Sequence, residues 1–167
     1  HRAGMTHPAP PRRGAGEQAR LDEALRQLWE ERLTFNRTLG LKVESMDLAA
    51  GPRLVFEMRP ELVGHYLYGR LHGGVISAVL DAAAGFALMV AQGEKHAHES
   101  ADQILARFAR MGTIDLRIDY LRPGIGERFE LRAEVLRLGS RVASTRMAFS
   151  GADGRLLASG AAAYIVS

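Results

Sequence analysis

The stretch from Leu71 to Val90 reads Leu-His-Gly-Gly-Val-Ile-Ser-Ala-Val-Leu-Asp-Ala-Ala-Ala-Gly-Phe-Ala-Leu-Met-Val, and it constrains the fold more than any other part of the chain. Drawn as a helix it is apolar or small on nearly every side, so it has to be enclosed by other structure. Its length alone would also suit a membrane span. The Gly and Ala content and the carboxylate of Asp81 at its middle favour a buried central helix instead, and no membrane association is expected. A carboxylate so placed costs several kcal/mol unless it is paired, hydrogen-bonded or neutral, so Asp81 requires a reason. One reason is structural: a hydrogen bond to Ser77 one turn earlier, with Gly73-Gly74 serving only a tight turn into the helix. The other is chemical. A helix opening on His72-Gly73-Gly74 presents backbone N–H groups that no side chain shields, and such donors together with a buried base are the two parts that acyl-transfer hydrolysis needs. The face carrying Asp81 also carries Ser77, Ala78, Ala84 and Gly85, which lets a backbone or a slender ligand come close.

Around this run the pattern is mostly β. Leu41 to Leu48 and Arg53 to Met58 alternate on either side of Ala50-Gly51-Pro52 and predict two strands. Downstream, Ile114, Leu116, Ile118 and Tyr120 alternate with charged residues, as do Phe129, Leu131, Ala133 and Val135. Arg141 to Ser150 and Arg155 to Val166 follow, parted by the hairpin signal Gly151-Ala152-Asp153-Gly154. A sheet of six such strands has an apolar face to fill, and one long apolar helix is what the chain supplies. The fold class expected is α+β, a helix on a curved antiparallel six-stranded sheet. Glu61 to Arg70 reads as a loop that carries His65, Tyr66 and Tyr68 into the helix, and Gly93 to Glu99 as a second, polar one. Ser100-Ala101-Asp102-Gln103 has the spacing of a capping box, starting a short helix with Ile104, Leu105, Phe108 and Met111 on one face and Gly112 at its close. Near the N-terminus Leu21, Leu25, Leu28 and Arg32, with Ala24, Trp29 and Leu33 beside them, predict an extra amphipathic helix from about Glu17. Residues 1–16, rich in Pro and Gly, are expected to be a disordered tail, and 17–167 a single domain.

Composition excludes several classes. Without cysteine there is no disulfide, no thiolate metal site and no cysteine nucleophile, which fits a reducing, cytoplasmic compartment; no N-terminal segment has a secretory pattern. The net charge is +3 and almost all the positive charge is Arg, whose forked donors suit phosphate. Nucleic acid would require basic residues clustered among aromatics, and only Arg12-Arg13 begins to look so; no such partner is expected. Glu94, His96, His98, Glu99 and Asp102 are ligand-type residues, but no second set stands nearby at helical or strand spacing, so they read as solvated and no metal is expected. There is no serine-hydrolase elbow, P-loop or dinucleotide fingerprint, and no cofactor is expected.

His-Gly-Gly with an aspartate nine residues after the histidine, followed by Thr113-Ile114-Asp115-Leu116-Arg117-Ile118-Asp119-Tyr120-Leu121-Arg122-Pro123, resembles the hotdog-fold acyl-CoA thioesterases of the phenylacetate-pathway (PaaI-like) group, and within it the YigI-like members. The resemblance runs from about Gly40 to the C-terminus. It implies the hotdog strand order and hydrolysis of acyl-CoA thioesters to free acid and CoA. It also implies roles: the Gly73 and Gly74 N–H groups receive the developing oxyanion, and His72 fixes the helix entry or helps to polarise the carbonyl. Asp81 activates water or attacks the carbonyl itself, and Thr113 orients the water. The family often carries an Asn shortly before the motif histidine, where this chain has His65 and Tyr66; His65 is the candidate substitute donor. For the coenzyme the candidates are Arg122 beside Pro123 and the turn Gly139-Ser140-Arg141, with Arg137 and Arg70 weaker. The insertion over 93–112 is a candidate lid. Helix geometry adds that Asp81 lies about 13 Å along the axis from His72, too far for both to grip one carbonyl, so a site needs two chains. The expected assembly is a homodimer, or a tetramer built from dimers, with sites at the subunit interface. Competing readings are a hotdog dehydratase or hydratase on acyl carriers, which the aspartate inside the helix argues against, and a non-catalytic acyl-CoA sensor, which would have no need of Asp81.

Overall fold

A computed structural model describes residue 4 and residues 8–167. Leu21 and Leu25, one helical turn apart, face inward from α1 (Ala15–Gln27), which starts two residues ahead of Glu17. Just before it, within the segment read as a tail, Arg13 is buried and hydrogen-bonded to Gln18 and to the carbonyls of Gly93, His96 and Glu99; residues 1–3 and 5–7 of that tail lie outside the described residues. The expected apolar stripe then shifts. In a π-helical turn, Leu28–Arg32, the Leu33 N–H reaches back five residues to the Leu28 carbonyl (2.9 Å), and the widened turn brings Trp29 inward while Leu28 is half-buried and Arg32 exposed. Helix α2 (Thr34–Leu39) follows and ends at Gly40, whose φ of 75° is the left-handed C-cap conformation.

The chain continues through β1 (Lys42–Ser45), β2 (Arg53–Glu57), a short hairpin of β3 (Val63–His65) and β4 (Arg70–Leu71), and the long α3 (Gly73–Lys95). After α4 (Ala101–Arg107) come β5 (Gly112–Tyr120), β6 (Arg128–Leu138), β7 (Val142–Gly151) and β8 (Leu156–Ile165). The small hairpin occupies the segment read as a loop. α3 extends to Lys95, into the expected polar loop, because Gln92 and Gly93 are buried and Gly93 sits tightly against Leu21 of α1. The capping box forms as expected, the Ser100 Oγ accepting from the Gln103 N–H and the Gln103 Oε1 from the Ser100 N–H, while Gly112 opens a strand rather than closing the helix.

The six strands form one antiparallel sheet in the order β1-β2-β6-β7-β8-β5, as the α+β reading required. Period-2 alternation puts Leu54, Phe56, Phe129, Leu131, Ala133, Met147 and Phe149 on the face that meets Val79, Leu80, Ala83, Phe86 and Ala87 of α3. Phe56, Phe129 and Phe149, contributed by three adjacent strands, pack with centroids 5.3 to 6.0 Å apart, and each such side chain is worth roughly 1.5–3 kcal/mol in burial. That enclosure is what allows so apolar a helix to serve as a core. It is incomplete on one side. β5 is an edge strand, mostly exposed, with Ile114 at 56% and Tyr120 at 54% of full exposure, and the neighbouring stripe of α3 (Ser77, Ala78, Asp81, Ala82) is only half-buried.

Candidate active site

The first turn of α3 is built around His72. The residue is the N-cap, and its Nδ1 accepts the Gly74 N–H at 2.7 Å, so the neutral ring carries its proton on Nε2, facing solvent. Glycine is needed at 74, because a Cβ there would stand 2.8 Å from the His72 Nδ1. Of the two expected backbone donors, the capping bond takes up that of Gly74; the Gly73 N–H has no acceptor among the described residues and remains available. Tyr120, at the end of β5, donates to the Gly73 carbonyl at 2.8 Å and lays its ring against the Gly73 Cα. Ser77 binds the same carbonyl at 3.2 Å and the Tyr120 hydroxyl, so it does not serve Asp81.

Asp81 lies two and a half turns further on, in the same unbroken helix, which puts it about 13 Å along the axis from His72. Two hydroxyls converge on its Oδ1: Thr113 of β5 at 2.9 Å and Tyr164 of β8, which also reaches the Asp81 backbone carbonyl at 2.7 Å. Burial first, and then the adjacent Asp81 carboxylate, push the Tyr164 phenol well above its ordinary range, so it stays a donor at any working pH. The Oδ2 has no hydrogen-bond partner among the described residues. Beside Asp81 is a cleft of about 260 Å³ walled by Trp29, Leu33 and Phe35 from the N-terminal segment and by Phe108 and Met111 from the 93–112 insertion. Trp29 is fixed there by its indole N–H on the Ala82 carbonyl (2.8 Å) and by edge contact with Phe108. Besides Asp81, Thr113 and Tyr164, the polar side chain of Asn36 lines this cleft; it is 7% exposed and its Nδ2 has no partner among the described residues. The arrangement offers a carboxylate oxygen held by two donors, its twin free, and an apolar cleft alongside.

A family model described as the thioesterase superfamily matches residues 68–158, which span α3 and most of the sheet. This chain belongs to the thioesterase superfamily. The thioesterase is 42% identical over 134 residues to the medium/long-chain acyl-CoA thioesterase YigI of Salmonella typhimurium, the match covering 80% of this chain and 86% of that one. It is 41% identical to the protein of the same description from Escherichia coli K12, with the same coverage. Among solved structures it is similar to a thioesterase-superfamily protein of Shewanella oneidensis, with a TM-score of 0.83, 32% identity, and coverage of 90% of this chain and 97% of that chain. A thioesterase structure from Syntrophus aciditrophicus gives a TM-score of 0.79, 34% identity and coverage of 92% and 100%. The fold and the enzyme class expected from the resemblance are those of these relatives.

The remaining residues singled out in the sequence fall in three places. His65 and Tyr66 are exposed on the β3–β4 hairpin, their rings stacked on one another at 5.9 Å, and neither hydrogen-bonds to Asp81 or His72. The hairpin does abut the site, since Gly64 packs against the His72 Cα and the Leu62 carbonyl accepts the His72 N–H. Arg122 lines, with Gly73 and Tyr120, a second cleft apart from the one beside Asp81, and its Nη1 donates to the Leu156 carbonyl at 3.1 Å. Gly139, Ser140 and Arg141 form the β6–β7 turn at the opposite, C-terminal end of α3, where the Lys95 Nζ approaches the Leu138 and Gly139 carbonyls at 3.3 and 3.4 Å. Glu94, Glu99 and Asp102 are engaged by Arg12, Arg107 and Arg20, and among the described residues no three ligand-type side chains gather for a metal. Tyr164, Tyr120 and Asn36 went unread as site residues. Tyr164 had one visible signal, a lone aromatic ending a run of Ser, Gly and Ala.

Proposed function

We propose that the protein hydrolyses medium- and long-chain acyl-CoA thioesters to a free acid and CoA, in sites shared between two subunits. The carbonyl oxygen of the thioester is received by the Gly73 N–H and the His72 Nε2–H of one subunit, a helix N-terminus pre-aimed at developing negative charge. Asp81 of the partner subunit acts through its free Oδ2, either taking a proton from the attacking water or attacking the carbonyl carbon to give an anhydride that water then opens. In both routes the tetrahedral intermediate collapses with cleavage of the C–S bond, and the CoA thiolate leaves and takes a proton. Thr113 and Tyr164 hold the Oδ1, which fixes the carboxylate's direction. The acyl chain lies in the cleft walled by Trp29, Leu33, Phe35, Phe108 and Met111, with the 93–112 insertion covering it; its apolar lining and the relatives' substrates support the chain-length class.

The single observation that carries this reading is that the free carboxylate oxygen and the free backbone donor stand about 13 Å apart along one rigid helix. A homodimer, or a tetramer of such dimers, resolves it: the open edge of β5 and the half-buried stripe of α3 are the surface through which a second copy would bring its Gly73 to Asp81. A cysteine-free chain suits a cytoplasmic compartment. The experiment is complementation. Asp81→Ala and His72→Ala chains, each nearly inactive, are refolded together at equal amounts. Random pairing makes about half the dimers mixed, each with one intact site, and about a quarter of wild-type thiol release returns. Absence of rescue despite demonstrated subunit exchange refutes the shared site. Wild-type protein that binds acyl-CoA but releases no thiol over a chain-length panel would leave a sensor instead of an enzyme.

A further inference from the structure

Three buried side-chain atoms have no hydrogen-bond partner among the described residues: the Nδ2 of Asn36 and the Nε of Arg53 and of Arg59. Each arginine places another nitrogen of the same guanidinium, Arg53 on Glu44 and Arg59 on the Thr38 carbonyl. Asn36 has a single side-chain donor atom, so its amide donates to nothing. It is also the one of the three that lines the cleft of about 260 Å³ beside Asp81. Its placement follows from α2, a helix of six residues whose two buried positions, one turn apart, are Asn36 and Leu39. The Asn36 backbone carbonyl is used where that helix ends, accepting the Leu41 N–H at 3.1 Å, while its side-chain donor is not. A leucine there would leave no polar group dry, whereas an unpaired buried amide costs about 1–3 kcal/mol. A local rule broken at a cleft beside a reactive carboxylate is the place where function offsets lost stability.

The apolar walls of the cleft are Trp29, Leu33, Phe35, Phe108 and Met111. A plain alkyl chain lying against them gives the amide nothing to bond, and it excludes the water that would serve instead. A hydroxyl on the chain removes that penalty. It suits either terminal atom of the amide, since it accepts from Nδ2 and donates to Oδ1, so a half-turn of the amide about its last bond changes nothing. We infer that Asn36 is a specificity-determining residue that selects acyl chains bearing a hydroxyl group, which it hydrogen-bonds from the wall of the acyl cleft. The inference rests on the thioesterase reading above and deepens it, because the relatives' descriptions state a chain length and no substituent. Asn36 acts on the chain and not on the reacting carbonyl, so its effect belongs in the ratio between substrates.

The test compares decanoyl-CoA with a series of monohydroxydecanoyl-CoAs whose hydroxyl moves stepwise along the chain. In the wild-type protein one position in the series should give a kcat/KM about tenfold above that of decanoyl-CoA, the ~1.4 kcal/mol of restoring one hydrogen bond to a buried donor. In Asn36→Leu, which keeps the volume and removes the amide, that advantage should vanish and kcat/KM for decanoyl-CoA should rise about threefold. The urea midpoint of Asn36→Leu should rise as well, since the unpaired donor is gone, whereas a merely structural asparagine would lower it. Asn36→Ala should lose the same selectivity, and it replaces the leucine variant if that one does not fold. No favoured hydroxyl position in wild type, or a preference that survives in these variants, overturns the inference. Protein that releases thiol from every substrate without a hydroxyl preference remains a thioesterase and loses this role of Asn36. Protein that releases none, yet in calorimetry binds a hydroxydecanoate more tightly than decanoate through Asn36, keeps the polar cleft and loses the enzymatic reading.

Discussion

The two ends of α3 are finished differently. At the C-terminal end the Gln92 carbonyl accepts the His96 N–H, and one buried guanidinium straps the helix end to the loop beyond it: Arg13 donates to the Gly93 and His96 carbonyls at 2.7 and 2.9 Å and to the Glu99 carbonyl, while its own backbone N–H bonds the Ala97 carbonyl at 2.7 Å. The strap is further tied on the surface by Arg12 on Glu94. At the N-terminal end the His72 ring caps the Gly74 amide and the His72 carbonyl takes the Val75 N–H, while the Gly73 N–H has no acceptor among the described residues. A folded chain satisfies nearly all of its backbone groups, and the ones it leaves open on a rigid element are where a ligand can be bound without reorganisation. One end of this helix is sealed for stability. The other is left open for chemistry.

Variants should therefore split cleanly between activity and stability. The largest effect is expected at Asp81, on the open stripe: Asp81→Asn keeps an Oδ1 for Thr113 and Tyr164, so the urea midpoint should hold while kcat falls by about 10³. A variant retaining more than a tenth of wild-type kcat would break the comparison at its functional end. Arg13→Ala should do the converse, losing about 3 kcal/mol through a lower urea midpoint at unchanged m, with kcat/KM within about twofold. Loss of activity without loss of stability there would show that the sealed end also works in catalysis. Smaller is Tyr164→Phe, with about 1 kcal/mol lost near neutrality. Because the folded phenol ionises at higher pH than the unfolded one, its contribution is complete below the unfolded value of about 10 and is lost as pH rises beyond it; the Phe variant should lack that part of the alkaline decline in a urea titration repeated across pH. An identical decline in both proteins would remove Tyr164 as the donor to Asp81. Least of all, Arg12→Ala should leave the urea midpoint unmoved, since its pair with Glu94 lies in solvent even though it holds the Glu94 carboxyl below the usual carboxylate range. A measurable drop would mean the seal depends on the surface pair as well as on Arg13.

What was legible in the chain was whatever depends on neighbours in sequence. The run from Leu71 to Val90 had to be an enclosed helix because no face of it could meet water, and the alternation in β6 and β7 told which side chains fill the sheet's inner face. The Ser100 capping box is a local motif and formed as such. Local periodicity went astray at Leu28, where the π-helical turn exchanges Leu28 and Arg32 for Trp29, since an inserted residue is decided by what the indole can reach, the Ala82 carbonyl on a helix 53 positions away. The site divides along the same line. His72, Gly73, Gly74 and Asp81 could be named from spacing and resemblance because they share one helix, and Thr113, on β5, from the resemblance alone. Tyr164, Tyr120 and Asn36 could not, because they reach that helix from other elements, Tyr164 across 83 positions. Period 2 states which face a strand residue points to, but only register states what it stands beside, and a slip of one position would turn every side chain over. In the β5–β8 pairing a shift between Thr113 and Asp115 sets Thr113 opposite Tyr164, and that register brings both hydroxyls onto one oxygen of Asp81.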